Sequence, residues 1–186
     1  MEKKAIRKEI FAKRKLLTQE EIQKDSHKIT EKILAMEAYQ RAKTVYVYMD
    51  CKGEASTKEL IEAALRDGKK VAAPKVYGDD MKYFYFTSYE DIEPGYFGVP
   101  EPKETLPLAD DEEALLIVPG VAFDEKRHRC GYGKGFYDRY LSIHTKHRTV
   151  AIALDFQVVE AVPCDEFDVL PQVLCTPTAI YQEDTL

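Results

Sequence analysis

Residues 119–141 read PGVAFDEKRHRCGYGKGFYDRYL. The apolar run just before them, Leu115 to Val118, has the character of a short buried strand. Phe136, Tyr137, Tyr140 and Leu141 recur on one helix face. The connection between strand and helix carries Gly131, Gly133 and Gly135, with Arg127, Arg129 and Lys134 around them. Alternating glycines allow positive φ and a close backbone approach to a ligand. The helix start beyond offers unpaired N–H groups and the positive end of its dipole. This is the layout of an anion site, with phosphate as the natural guest.

The loop matches neither common nucleotide fingerprint. In a P-loop register, His128 stands where the first glycine belongs and Gly135 follows the lysine in place of Ser or Thr. In a dinucleotide register the third glycine is replaced by Phe136 or Asp138. The plainer reading is a tightly packed strand-to-helix turn with Lys134 and Asp138 as a surface i,i+4 pair.

Working outward, Thr44 to Met49 (TVYVYM), Lys70 to Ala73, Met81 to Phe86, Thr149 to Leu154 (TVAIAL) and the terminal VLCT segment read as strands. Ser56 and Glu59 open a helix whose Leu60, Ile61, Ala64 and Leu65 face inward, and Gly68 stops it. Strand and helix alternate, which predicts a largely parallel sheet covered by helices, with Met81–Phe86 near an edge. Tyr89 to Glu113 holds four prolines, two glycines and nine acidic residues, so a long irregular loop is expected there, of the kind that borders binding sites.

Upstream, residues 3–17 form a helix with Ile6, Ile10, Phe11 and Leu17 apolar. A second helix begins at Thr18, where Glu21 completes a capping-box pattern, and carries Ile22, Ile29, Ile33 and Met36. Seven Lys/Arg against two Glu make Met1–Lys15 +5, within a chain of net charge −6. That balance disfavours a general nucleic-acid binder. The four cysteines form no C-x-x-C pair and read as reduced thiols, no apolar run approaches a membrane span, and a cytoplasmic protein is expected. The four histidines lack metal-ligand spacing, and no Ser/His/Asp or Cys/His constellation stands out.

PGVAFD-x4-R-x-GYGKGFYDRYL resembles the signature of the 5-formyltetrahydrofolate cyclo-ligase family, also called methenyltetrahydrofolate synthetases. Lys3 to Arg7, Tyr48-Met49 with Glu54, GVPEP at 98–102, FQ-x5-P at 156–163 and the aspartate of DEFDV extend the resemblance along nearly the whole chain. It implies ATP- and Mg²⁺-dependent conversion of 5-formyltetrahydrofolate to 5,10-methenyltetrahydrofolate, with ADP and phosphate released through a phosphorylated formyl intermediate. It also implies a three-layer α/β/α domain similar to sugar-phosphate isomerases and CoA-transferases, with an N-terminal helical pair. One domain over 1–186 is expected, its helices at about 3–36 and its core at about 44–182.

By the same resemblance, Lys3, Lys4, Arg7, Arg129, Gly131, Tyr132, Gly133, Lys134, Gly135, Phe136 and Tyr137 bind nucleotide. Arg129, Lys134 and Tyr132 serve the transfer itself. Met49, Glu54, Tyr132, Gly133 and Tyr137 contact the folate, and Asp138 and Asp168 are associated with Mg²⁺. Tyr96, Phe97 and Tyr140 are further aromatics that could stack on a ring. Phe167 stands where the family commonly has His, and Gln172 where a second aspartate is common. A monomer is expected, with a dimer as the alternative, and small molecules rather than nucleic acid or membrane as partners. Two rival readings are a non-catalytic folate or phosphometabolite binding module and a sugar-phosphate isomerase on the same fold.

Overall fold

In the computed structural model, which describes residues 1–183, helices α1 (Lys3–Arg14), α2 (Gln19–Leu34) and α3 (Glu37–Arg41) precede the sheet. The sheet is built from β1 (Thr44–Tyr46), β2 (Lys70–Tyr77), β3 (Asp80–Phe86), β6 (Leu115–Val118), β9 (Arg148–Ile152), β10 (Val173–Cys175) and β11 (Ile180–Gln182). Helix α4 (Lys58–Arg66) links β1 to β2, and α5 (Phe136–Ile143) precedes β9. Between β3 and β6 lies a small hairpin of β4 (Ile92–Pro94) and β5 (Pro100–Pro102). Another hairpin, β7 (Ala122–Phe123) and β8 (Arg129–Cys130), follows β6.

Strand order is β11-β10-β9-β6-β1-β2-β3, with the five inner strands parallel and both edge strands antiparallel. Strand β1 pairs with β2 on one side (Val45 opposite Val71) and with β6 on the other (Val45 opposite Leu115). Alternation along these strands creates two cores. Val45, Val71, Leu115, Ile117 and Val150 pack under α2 and α4, through Ile29, Ile33, Leu60 and Ile61. Tyr46, Ala72, Leu116, Val118 and Leu174 face the other way, toward Leu141 of α5. The helix layers therefore lie on opposite faces, and the expected three-layer arrangement is present. Loops leaving β1 and β6 diverge at this reversal, and the crevice beyond the strand ends there is where open α/β sheets bind ligands.

Several expectations change. Helix α1 ends at Arg14 and does not reach Leu17. Helix α2 ends at Leu34, and Met36 instead precedes the short α3. Thr18 caps α2 by accepting from the Glu21 amide at 3.1 Å. Thr57, not Ser56, is the N-cap position of α4. Asp50 pins that residue: its Oδ1 accepts from the Thr57 amide at 2.9 Å and its hydroxyl at 3.1 Å, while the Lys58 amide of the first turn donates to Ser56 Oγ at 3.3 Å. The glycine loop does not leave β6 directly, because the β7–β8 hairpin intervenes. Its turn is wound around Asp124, which accepts from the amides of Lys126, His128 and Val162 and from the His128 ring. Burial opposes ionisation of Asp124, yet these hydrogen bonds outweigh it and hold its carboxyl below the usual range.

The 89–113 passage is also more ordered than expected. Glu101, 4% exposed, accepts from the Val76 amide at 2.7 Å and the Tyr96 amide at 3.0 Å, fastening the β4–β5 hairpin to the sheet. A Cβ on Gly95 would fall 1.9 Å from Glu101 Oε1. Gly95→Ala should therefore expel this carboxylate from its partners and lower stability by about 2–3 kcal/mol in denaturant unfolding. A change below about 0.5 kcal/mol would show that Glu101 does not hold the hairpin.

Candidate active site

Helix α1 buries Ile6, Ile10 and Arg14, three positions spaced by four. The two isoleucines pack with Val121, Ala122, Cys130 and Val162, which seats the helix against the β7–β8 hairpin. That placement brings three of its cations to the site. Arg7 Nε donates to the Gly131 carbonyl at 2.6 Å. Lys3 Nζ donates to Asp168 Oδ2 at 2.6 Å. Arg14 Nη1 donates to the Tyr132 hydroxyl at 2.8 Å, and its Nη2 reaches the Gly120 carbonyl at 3.5 Å. Lys4 is exposed and is not brought to the loop.

The loop has the expected backbone. Gly133 (φ 102°) and Gly135 (φ 71°) are left-handed, and the Arg7 guanidinium lies 3.7 Å from where a Gly133 Cβ would stand. Gly135 is the N-cap of α5 and no side chain caps the helix, so its first amides are left for a ligand. Lys134 is exposed and, among the described residues, makes no ion pair; the surface pairing with Asp138 does not occur. Asp138 faces Arg129 instead, at 3.5 Å, and its Oδ1 accepts from the Val169 amide at 3.0 Å. That bond ties Asp138 to the neighbour of Asp168, so the two aspartates flank one corner.

Arg129 is buried, donating to the Pro119 carbonyl at 3.0 Å beneath the Tyr137 ring, 5.6 Å from its centroid. It braces the loop. Arg127, counted with the loop in the sequence, turns away through a left-handed backbone (φ 69°) toward the Pro171 carbonyl and Glu183. Of the aromatics, Tyr140 packs between Tyr83 and His147, whereas Tyr96 contacts the Phe136 ring edge-on at 6.2 Å and Phe97 is exposed beside it.

Across the crevice, Met49 and Glu54 border a cavity of about 430 Å³ lined also by Ile22, Cys51, Ser56 and Tyr89. Glu54 Oε1 accepts from the Cys51 amide at 3.0 Å, and Oε2 accepts from the Tyr132 hydroxyl at 3.1 Å. Tyr132 thus joins the glycine loop to the β1–α4 loop. Burial pushes the Glu54 carboxyl up. The Cys51 amide, the Arg14 charge and the Tyr132 hydroxyl work against that rise. Burial also raises the Cys51 thiol, to about 11, so it is no ready nucleophile.

Arg14 was missed among the candidate residues. The apolar stripe predicted for α1 assigned Phe11 and Leu17 to the core, whereas Phe11 is 37% exposed and stacks near Tyr132. The signal lay in the spacing of Lys3, Arg7 and Arg14, which share a face with Ile6 and Ile10.

Because folding raises the Glu54 pKa, the ionised carboxylate opposes folding, and the stability it removes grows as pH rises from its ordinary value through the raised one. Glu54→Gln should melt at a higher temperature than the natural chain at pH 7.5, with the gap narrowing at pH 5. A lower melting temperature at pH 7.5 would contradict the burial argument.

A model of the 5-formyltetrahydrofolate cyclo-ligase family matches residues 1–177. The chain is 32% identical over 182 residues to the 5-formyltetrahydrofolate cyclo-ligase of Escherichia coli K12, covering 93% of this chain and 99% of that protein. It is 33% identical over 173 residues to a probable 5-formyltetrahydrofolate cyclo-ligase of Caenorhabditis elegans, covering 82% of each. The solved structure of Aquifex aeolicus 5,10-methenyltetrahydrofolate synthetase superimposes with a TM-score of 0.86 at 32% identity, over 100% of this chain and 96% of that one. With its glycine loop, its basic first helix and a match running nearly end to end, the chain belongs to the 5-formyltetrahydrofolate cyclo-ligase family.

Proposed function

We propose that this crevice converts 5-formyltetrahydrofolate to 5,10-methenyltetrahydrofolate with ATP, as the family does, and that the two loops at the β1/β6 reversal divide the work. The observation that carries this reading is the contact between them: Tyr132 of the glycine loop donates to Glu54 of the folate-side loop at 3.1 Å. A phosphate held by the one loop then lies beside a pterin held by the other.

The chemistry accounts for the residues. A formamide oxygen leaves poorly, so it first attacks the γ-phosphorus of ATP, breaking the bond to the bridging oxygen and releasing ADP. N10 of the folate then attacks the activated formyl carbon, the carbon–oxygen bond breaks, and phosphate departs as N10 loses its proton. These steps need alignment and neutralisation of charge more than a protein nucleophile. Lys134, the uncapped amides of α5 and the cations of α1 supply neutralisation, with Arg129 holding the loop's shape. The Glu54 carboxylate accepts hydrogen bonds from the donor edge of the pterin while Met49 packs against its face. Tyr137, walled in by Arg129 and the core, shapes the floor.

Two carboxylates, Asp138 and Asp168, face the loop with oxygen donors of the kind Mg²⁺ selects. Among the described residues no cluster of three or more ligating side chains forms a complete metal cage. Mg²⁺ bound with nucleotide would suit oxygen donors of this kind. Asp138 and Asp168 would hold it, and it would neutralise polyphosphate charge. Lys3 now occupies Asp168 and would be freed toward phosphate, while Arg129, facing Asp138 at 3.5 Å, keeps its hold on the loop. We read the protein as a single-domain cytoplasmic enzyme acting as a monomer; among the described residues no helix is long and apolar enough to cross a membrane.

Incubation with 5-formyltetrahydrofolate, ATP and Mg²⁺ should generate the methenyl chromophore. Binding of folate without turnover would favour a binding module instead. Lys134→Ala should lower kcat/KM for ATP by about 100-fold, the scale of one lost charge-stabilising donor, with folate affinity changed less than about threefold. Equal losses for both ligands in a folded variant would contradict the division of labour.

A further inference from the structure

Arg14 is 7% exposed, yet its contacts do not resemble those of a stabilising ion pair. No carboxylate lies within ion-pair distance of it among the described residues, its Nε is buried without a partner, and its bond to the Gly120 carbonyl is long at 3.5 Å. A desolvated cation with an unmet donor works against folding. Apart from the Phe11 ring, 5.5 Å from its guanidinium, what it does touch borders the site. Its one short bond goes to the Tyr132 hydroxyl, its guanidinium lies 5.7 Å from the Tyr132 ring centroid, and its methylenes underlie Gly53 of the β1–α4 loop.

We infer that Arg14 is a positioning residue for the folate side of the reaction: it sets the Tyr132 hydroxyl as a donor to Glu54, and so keeps the Glu54 carboxylate available as an acceptor for the pterin. This rests on the reading of Glu54 given above. A guanidinium donates and never accepts, and a phenol has a single proton. Once Arg14 fills the hydroxyl's acceptor side, that proton is directed to Glu54 Oε2, while Oε1 takes the Cys51 amide. Oε2 then carries one protein hydrogen bond and keeps a lone pair for the ligand, whereas Oε1 takes both the Cys51 amide and, at 3.6 Å, the Cys51 thiol.

The groups around Glu54 leave few substitutes for Arg14. Tyr132 and Tyr137 approach from the glycine loop and α5, Tyr48, Asp50, Cys51 and Lys52 from the segment between β1 and α4, and Arg14 from α1. Arg14 is the cation that reaches Glu54 from another element, Lys52 being exposed on Glu54's own loop. Burial favours the protonated acid at Glu54, a form that would offer one donor and lose acceptor capacity, and Arg14 opposes this. Gly53 packs on the same side chain, and its left-handed backbone rather than lack of space is what favours glycine there. A Cβ there would meet the Arg14 methylenes at 3.5 Å from a backbone already at φ 83°.

The test is calorimetric binding of 5-formyltetrahydrofolate to the full chain from the ordinary carboxylate range, about pH 4.5, up to about pH 9, without ATP, for the natural protein, Arg14→Met, Arg14→Lys and Tyr132→Phe. Affinity should fall as pH drops through a midpoint set by Glu54. Arg14→Met should move that midpoint up by about one pH unit, a tenfold change in proton affinity, and Arg14→Lys should recover part of the shift. Tyr132→Phe, which breaks the link but keeps the cation, should shift it by less in the same direction. It also serves as the decisive variant if Arg14→Met does not fold. A uniform loss of affinity with an unmoved midpoint would show Arg14 to be merely structural and overturn the inference. Absence of folate binding by the natural protein at every pH would overturn the folate reading itself, and this inference with it.

Discussion

The site depends on helix α1 lying against a loop that has little conformational preference of its own. Glycines at 131, 133 and 135 remove the side chains that would otherwise restrict the backbone, and two of the three adopt positive φ. What holds the loop in shape is external. Ile6 and Ile10 seat the helix on the β7–β8 hairpin, each burial stabilising by about 1.5–3 kcal/mol. Arg7 then grips the Gly131 carbonyl and Arg14 the Tyr132 hydroxyl. The apolar contacts supply the energy, and the charged ones, at that docking distance, supply the geometry.

Topology decides which segments meet. Because the chain leaves β1 toward β2 on one side and later returns to place β6 on the other, the loops after β1 and β6 open apart at the same end of neighbouring strands. One carries Glu54, and the other leads through the β7–β8 hairpin to the glycines. Their spacing is maintained by interactions that the chemistry does not use: Asp50 pinning Thr57 at the start of α4, Asp124 winding the hairpin turn, and Gln157, whose amide donates to the carbonyls of Gly120 and Val121. These polar groups are buried or half-buried and well partnered, which suits a framework whose strands must keep register.

The alternation of β-branched runs with amphipathic helices was legible in the chain, and so was a largely parallel sheet covered by helices, since buried strands and helix faces repeat with different periods; the three-layer arrangement followed from the family resemblance. The glycine loop was legible as an anion site because few other purposes need alternating glycines beside cations before a helix. The β7–β8 hairpin was not, because two-residue strands carry no periodic signal. Arg127 could not be separated from Arg129 by sequence, since a left-handed residue at 127 redirects its side chain, and that conformation comes from the turn around Asp124. Arg14 was hidden by composition: in a segment with seven basic residues, the one that is buried looks like its neighbours. Only docking of the helix singles it out.

The central claim is that this crevice brings the γ-phosphate of ATP to the formyl oxygen of a folate held at Glu54. It is tested most directly by following that oxygen. With 5-formyltetrahydrofolate labelled with ¹⁸O in its formyl group, a single turnover with unlabelled ATP in unlabelled water should deliver the label to inorganic phosphate. Appearance of the label in water, with unlabelled phosphate, would mean that the formyl oxygen leaves without being phosphorylated and would contradict the account.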